Sequence, residues 1–314
     1  MRIIKRIGRL LLCLVGFSYD YFRYFLYSAW KQDLKNKEER NYMAVKVYHS
    51  LEKSLSLKNR REGAGWENTK LLHTISLKAI ESGDLGFQDK VGLNVLRQFA
   101  SQLTSLPEAQ EISKELQCNE YSDAGGTREY SKEDFNQGEL SDPEAFFLSR
   151  HTLRDFSEKE VECSTVRRAV SLAMKSPSAC NRQAWHVYDL KTQEVISNAL
   201  NCQNGNRGFG HNAKRLLVVA SDLRAFVSPK ERYQHWIDGG MFAMSLVWAF
   251  HSLGVASCCL NWSQDPSGDL KFRRLVPIEP QHSVIMLIAL GYPDEDNKVC
   301  ASARRPLEEV YTEL

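Results

Sequence analysis

Residues 150–156 read Arg150-His151-Thr152-Leu153-Arg154-Asp155-Phe156, and residues 176–185 read Ser176-Pro177-Ser178-Ala179-Cys180-Asn181-Arg182-Gln183-Ala184-Trp185. The first run places two fixed positive charges, an imidazole and a hydroxyl on a short piece of chain. That set suits a phosphate, because a guanidinium offers a planar fork of donors and Thr or His adds a hydrogen bond without bulk. The second run closes a helix: Pro177 stops it, and Ser178, Asn181 and Gln183 supply neutral donors and acceptors of the kind that read an uncharged polar ring edge. Taken alone, the first run reads more readily as a solvated basic helix start, and the second could be an ordinary polar turn.

Around these runs helices and strands alternate. The spacing predicts a helix over 161–175, a strand over 185–190, a second strand over 216–220, a long helix from about Pro229 to Leu253, and a last apolar strand over 284–290 that Gly291-Tyr292-Pro293 stops. The long helix carries Ile237, Met241, Met244, Trp248 and Phe250 with few charges in its second half. Such a helix belongs in a core or between subunits.

The two runs together resemble the nitroreductase family pattern, in which R-x-[ST]-x-[RK]-x-F is followed, after a helix, by P-S-x-x-N-x-Q-x-W. The resemblance implies an α+β fold, a mixed sheet flanked by helices, with FMN held between the two chains of a homodimer. Carried over position by position, Arg150, His151, Thr152 and Arg154 would hold the FMN phosphate and ribityl chain. Pro177, Ser178, Asn181 and Gln183 would lie beside the ring system. Three later features fit the same pattern. Asn206 precedes the strand over 216–220 as a family flavin-contacting Asn does, with an ordinary turn as the competing reading. The run Gly254 to Asn261 follows the long helix, where the family lines the ring partly with backbone; this puts Leu260 and Asn261 in the site. Ala303-Arg304-Arg305-Pro306-Leu307-Glu308-Glu309-Val310 resembles the family's closing tail, so Arg304 and Arg305 would complete the phosphate site.

The resemblance covers about the C-terminal half and organises the chain into three parts. Residues 1–117 form a helical extension, 118–140 a polar linker rich in Gly, Ser, Glu and Asp, and 141–314 the FMN-binding domain. In the extension, helices are expected over 38–58, where Met43, Val47, Leu51 and Leu55 recur at i, i+4, and over 69–80 and 89–103. Tyr48 to Leu55, with Arg60, Arg61, Gly63 and Gly65 following, is similar to a segment of longer nitroreductase-like proteins associated with surface-glycan genes. His49, Glu52 and Lys53 share a helical surface that could border a substrate cleft, with solvated helix residues as the plainer reading.

At the N-terminus, Arg2, Lys5, Arg6 and Arg9 precede the apolar run Leu10 to Val15. No small-residue cleavage site follows, and the run falls far short of the roughly 20 residues that span a bilayer. Helical spacing puts Arg2, Arg6, Arg9, Asp20 and Arg23 on one face and Ile4, Ile7, Leu11, Val15, Phe22 and Phe25 on the other. Residues 1–30 therefore read as an amphipathic helix, to lie either in a membrane interface or on its own fold.

Composition sets the remaining bounds. The 314 residues are 43% apolar and 25% charged with a formal net charge of +2, which gives no reason to invoke nucleic acid. Eight cysteines show no C-x-x-C pair, so neither a zinc site nor a redox motif is expected, and idle thiols in a cytoplasmic protein are. No triad or metal constellation is visible, and no catalytic side chain is assigned. The expected activity is a hydride transfer between NADH or NADPH and a small organic acceptor through bound FMN. The competing readings are a flavoenzyme specialised for one biosynthetic intermediate and a membrane-associated scaffold without turnover.

Overall fold

The computed structural model describes residues 2–59, 63–103, 106–116, 122 and 124–314, with only the backbone of residues 2–7, 9 and 113. The expected basic side chains Arg2, Lys5, Arg6 and Arg9, the apolar Ile4 and Ile7, the pair Arg60 and Arg61, and Cys118 at the start of the expected linker lie outside the described residues. The chain runs through α1 (Arg2–Tyr27), α2 (Lys37–Leu55), α3 (Trp66–Ser82), α4 (Phe87–Ser101), α5 (Pro107–Glu115), α6 (Lys132–Asn136) and α7 (Pro143–Ser149). It continues with α8 (Cys163–Ala173), β1 (Trp185–Leu190), α9 (Gln193–Leu200), β2 (Arg215–Asp222), α10 (Gln234–Ser252), β3 (Ala256–Asn261), α11 (Pro266–Leu275) and β4 (His282–Gly291).

The four strands lie in the order β1-β2-β4-β3, and each neighbouring pair is antiparallel. The expected mixture of strand directions reduces, among the described residues, to one parallel bridge between Thr152 and Ser257. Both faces of β2 and β4 are covered, which is why those strands read as unbroken apolar runs. Successive side chains point to opposite faces. Leu217, Val219, Ile288 and Leu290 pack with Phe242, Leu246 and Phe250 of α10 and with Val166 and Ala169 of α8. Leu216, Val218, Leu287 and Ala289 pack on Ile196 and Leu200 of α9 and Phe272 of α11. Helix α10 starts at Gln234 rather than at Pro229, because Ser228 caps a separate 3-10 turn over Pro229–Glu231.

The extension has its own core. Leu51, Leu72, Ile75, Leu93, Leu96 and Phe99 are buried together between α2, α3 and α4. Asn36 caps α2 by accepting from the Glu39 N–H at 3.1 Å, and Glu38 and Glu39 sit at the positive end of the helix. The fully buried Arg40 pairs with Asp84 at 2.6 Å and Asp89 at 3.3 Å, tying α2 to the start of α4. The expected linker is partly docked on this bundle: the Gly126 N–H donates to Glu52 Oε1 at 2.9 Å. Glu52 also pairs with His49 at 3.0 Å, so these two residues hold the returning chain.

Both α2 and α1 join the extension to the sheet domain. Tyr42 of α2 donates to Asp222 Oδ2 at 3.2 Å, and α2 packs on the turn over Ala179–Asn181. Helix α1 runs across the body, with Tyr19 donating to Asp269 Oδ2 at 2.7 Å and Tyr24 to the Ser228 carbonyl at 2.8 Å. Arg23 donates to the carbonyls of Pro280 and His282 at 2.9 and 3.0 Å. Arg23 therefore faces the protein and Asp20 lies exposed at the edge of that face, while Leu11, Val15 and Phe22 on the other side are each more than half exposed and Phe25, half exposed, borders the space between α1 and the body. The helix is amphipathic as its spacing predicts, but its apolar face is the outer one.

Candidate functional site

The 150–156 segment is fixed by alternation. Leu153 and Phe156 are buried in the core, and the Leu153 N–H donates to the Ser257 carbonyl at 3.2 Å. The Ser157 N–H donates to the Tyr292 carbonyl at 2.9 Å. Phe156 lies against Gly291 so closely that a Cβ there would be 2.5 Å from the Phe156 Cβ. With these residues held inside, Arg150, His151, Thr152 and Arg154 are left to line one cavity of about 450 Å³.

That cavity brings the chain's end to the same place. Cys300, Ser302 and Arg304 form one side of it, Phe147 and Leu148 another, and Met244 and Trp248 of α10 its floor. The Arg150 guanidinium lies 5.9 Å from the centre of the Trp248 ring, and Arg154 lies 5.8 Å from that of Phe209 while donating to Cys300 Sγ at 3.5 Å. No acidic residue lines the cavity. Among the described residues, Arg150, Arg154 and Arg304 form no ion pair with a carboxylate. Three cations, an imidazole and a hydroxyl around an acid-free cavity fit an anion with several acceptor oxygens, such as a phosphate. Arg305 is exposed and does not line the cavity.

The second run is built in another way. Cys180, Asn181 and Gln183 all have φ near +53°, a left-handed conformation that costs non-glycine residues energy. The turn is held by Ser178 Oγ, which accepts from the Gln183 N–H at 3.0 Å, and by the Gln183 side chain, which donates to the Asn181 carbonyl at 3.2 Å. Arg182 is 1% exposed. It donates to the carbonyls of Ala179 and Ala225 at 3.0 and 2.8 Å and pairs with Glu231 at 2.9 Å. Burial alone would raise the Glu231 pKa, but the Arg182 contacts outweigh it and hold the carboxyl below its ordinary value. The Ala179 N–H is taken by Asp238 of α10, whose pKa burial raises against the pull of its donors Gln234 and Ala179.

Within one chain the two runs do not share a cavity. None of Pro177, Ser178, Asn181 and Gln183 lines the cationic cavity; Gln183 instead borders a separate cleft of about 890 Å³ between α2 and β1. The other candidates are also dispersed. The Asn206 amide is engaged with the carbonyls of Leu200 and Gln203 at 2.8 and 2.5 Å, so its side chain braces its own loop. Leu260 is buried in the sheet core, leaving only backbone to offer. Asn261 is exposed and donates to Ser263 Oγ at 2.6 Å, while its carbonyl accepts from Gln203. His49, Glu52 and Lys53 border neither space. The cavity residues that sequence reasoning missed include Phe147, Trp248, Cys300 and Ser302. Trp248 was visible as one of the apolar residues of the long helix, but its face was not.

Comparison with known proteins follows the same division of the chain. The sequence profile of the nitroreductase family matches residues 148–201 and 192–292 and leaves 1–147 outside the match. An Archaeoglobus fulgidus protein described as "Putative NADH dehydrogenase/NAD(P)H nitroreductase" is 24% identical over 152 residues, which are 47% of this chain and 83% of that protein. An FMN-dependent nitroreductase from Clostridium difficile R20291 superposes with a TM-score of 0.46 at 23% identity, over 54% of this chain and 98% of its own. A nitroreductase family protein from Streptococcus pneumoniae TIGR4 superposes with a TM-score of 0.47 at 22% identity, over 54% of this chain and 98% of its own.

Proposed function

We propose that this chain, whose residues 148–292 match the nitroreductase family, is an FMN-dependent oxidoreductase that passes reducing equivalents from NADH or NADPH to a small organic acceptor. The observation that carries the reading is the acid-free cavity ringed by Arg150, His151, Thr152, Arg154 and Arg304. Unpaired guanidinium groups around one space cost free energy through mutual repulsion unless an anion relieves it. A flavin phosphate supplies that anion, and each charged hydrogen bond to it contributes about 1.5–3 kcal/mol. When bound, FMN supplies the redox chemistry itself, accepting a hydride equivalent and delivering it onward. The chain's residues then anchor the phosphate, offer neutral donors to the ring, and shape the space in which donor and acceptor take turns. No protein nucleophile or general acid is needed.

The same reading has the working form as a homodimer. Ser178, Asn181 and Gln183 lie away from the cationic cavity in their own chain, and a second chain would bring its copy of that turn to the ring. Ile237, Met241 and Met244 form an exposed apolar stripe on α10, running from beside Asp238 to the cavity floor. Residues 293–314 are exposed nearly throughout and include Leu307, Val310 and Tyr311. Both surfaces are more apolar than a free monomer needs.

The reading also has the enzyme working from the cytoplasm at a membrane surface. Leu10, Leu11, Leu12, Leu14, Val15 and Phe17 are each more than half exposed, and the sequence before them is basic, so hydrocarbon and anionic headgroups both have something to meet. No helix is long and apolar enough to cross a membrane among the described residues.

The purified protein should be yellow with an FMN spectrum, bleach under anaerobic NADH or NADPH, and behave as a dimer by light scattering at micromolar concentration. A colourless protein that takes up no added FMN overturns the cofactor assignment, and a monomer that still binds FMN overturns the shared site. The full chain should sediment with anionic vesicles in a salt-sensitive way, and Leu11→Glu with Phe22→Glu should abolish this. Equal sedimentation of that variant removes the membrane contact.

A further inference from the structure

A second cavity, of about 620 Å³, lies between α1 and the body, away from the cationic site. Its walls are aromatic: Phe17, Tyr21, Phe25 and Trp30 from α1 and the residues following it, and Tyr233 and Trp236 from the start of α10. Phe25 stacks on Trp30 with ring centres 5.3 Å apart. This size falls within the range of small-molecule sites, and so does a mostly apolar wall with few polar groups.

One polar group stands out in it. His235, which lines the cavity, is 6% exposed, and its Nδ1 is enclosed without a hydrogen-bond partner. Its ring touches Tyr24, Phe226 and Trp236 instead. Burial pushes its pKa down to about 4, with nearby Arg23 adding to the effect, so the imidazole is neutral at physiological pH. A neutral imidazole has one N–H to donate and one nitrogen to accept, and leaving the enclosed Nδ1 unused is costly.

The charged groups at the rim are largely committed to contacts within the protein. Arg23 is committed to the carbonyls of Pro280 and His282, and Arg232 donates to the Pro229 carbonyl and lies over Tyr233. Asp20 lines the same space and would repel a carboxylate. What remains complementary is an apolar body with an uncharged hydrogen-bonding head. The wall that faces outward belongs to α1, whose other side presents Phe22 and Val15 to the surroundings.

We propose that α1 and the start of α10 form a lipid-facing pocket that takes an uncharged amphiphile, a hydroxyl or carbonyl head on an apolar body, drawn from a bilayer and bound by its head to His235. The pocket does not depend on the flavin assignment, while the bilayer as source rests on the membrane contact proposed above.

The test uses the full chain and brominated probes, because bromine quenches the indoles of Trp30 and Trp236 on contact. 10-Bromodecan-1-ol should quench saturably, and 10-bromodecanoate at pH 7.5 should bind at least about tenfold more weakly. His235→Phe, which keeps the ring and removes both nitrogens, should weaken the alcohol about fivefold, the worth of one net hydrogen bond. Trp30→Phe, at an exposed site, should remove part of the quenching amplitude and locates the probe even if the His235 variant fails to fold. Non-saturable quenching, equal binding of alcohol and carboxylate, or an unchanged His235→Phe protein overturns the pocket. Delivery of the alcohol from phosphatidylglycerol vesicles should give the same quenching; saturable binding from solution with none from vesicles keeps the pocket and overturns the bilayer as its source.

Discussion

Arg182 donates to two carbonyls and pairs with Glu231 inside the protein, whereas Arg150, Arg154 and Arg304 face one cavity whose walls carry no carboxylate. The two runs that make the sequence legible thus use arginine in opposite ways. In the 177–183 turn the guanidinium is structural, and the strained residues around it offer neutral groups to whatever approaches. Around the cavity the guanidinium groups meet a ring, a thiol and a carbonyl, and no carboxylate. A buried, ion-paired arginine contributes to the fold, and a set without carboxylates is what the proposed phosphate site requires.

The largest test of that contrast is the double change Arg150→Ala with Arg304→Ala. Two charged phosphate contacts are worth about 3–6 kcal/mol together, so FMN affinity should fall by roughly a hundredfold or more while the urea midpoint barely moves. Unchanged flavin content removes the phosphate clamp. Arg182→Ala should do the reverse. It strands Glu231 and two buried carbonyls, and a loss of about 3–5 kcal/mol of stability is expected from denaturant unfolding; a loss below about 1 kcal/mol means that the turn does not depend on this side chain. Gly291→Ala comes next. The new methyl must displace Phe156, at a cost of about 1–3 kcal/mol, and because Phe156 anchors the 150–156 segment, flavin retention should drop along with stability. Retention that stays at the parent level would show that the segment is positioned by other contacts. The smallest effect is expected of Asn181→Ala: retention of FMN, with a potential shift of about 20–30 mV from the loss of one neutral hydrogen bond. If FMN is lost as fully as in the double arginine variant, the division of labour between the two runs is wrong.

The strands that sequence patterning finds are those whose residues carry the signal themselves. Val187, Val218, Val219, Val284 and Ile285 are β-branched, and β1, β2 and β4 stand where the pattern puts them. Strand β3 was legible only as a lining segment, because Ala256-Ser257-Cys258-Cys259-Leu260-Asn261 has little strand preference and is extended by its pairing with β4. Helices α7 and α11 went unread although each begins with an Asp cap followed by Pro, at Asp142-Pro143 and Asp265-Pro266; they are too short for periodicity to show. The cationic residues of the cavity could be named from their pattern, and their company could not. Phe147, Trp248 and Cys300 reach them through tertiary folding. For α1 the spacing gave two faces without saying which would turn inward, since that choice rests on hydrogen bonds from Tyr19, Arg23 and Tyr24 to distant segments.

Those three side chains are fastened to three places far apart in the chain: Asp269, the Pro280 and His282 carbonyls, and the Ser228 carbonyl. Three attachment points on a rigid rod leave it neither roll nor pitch relative to the body. Helix α1 is therefore a keel. Any surface that grips its outer face also fixes the attitude of the whole molecule, and with it the compass direction in which the cationic cavity opens.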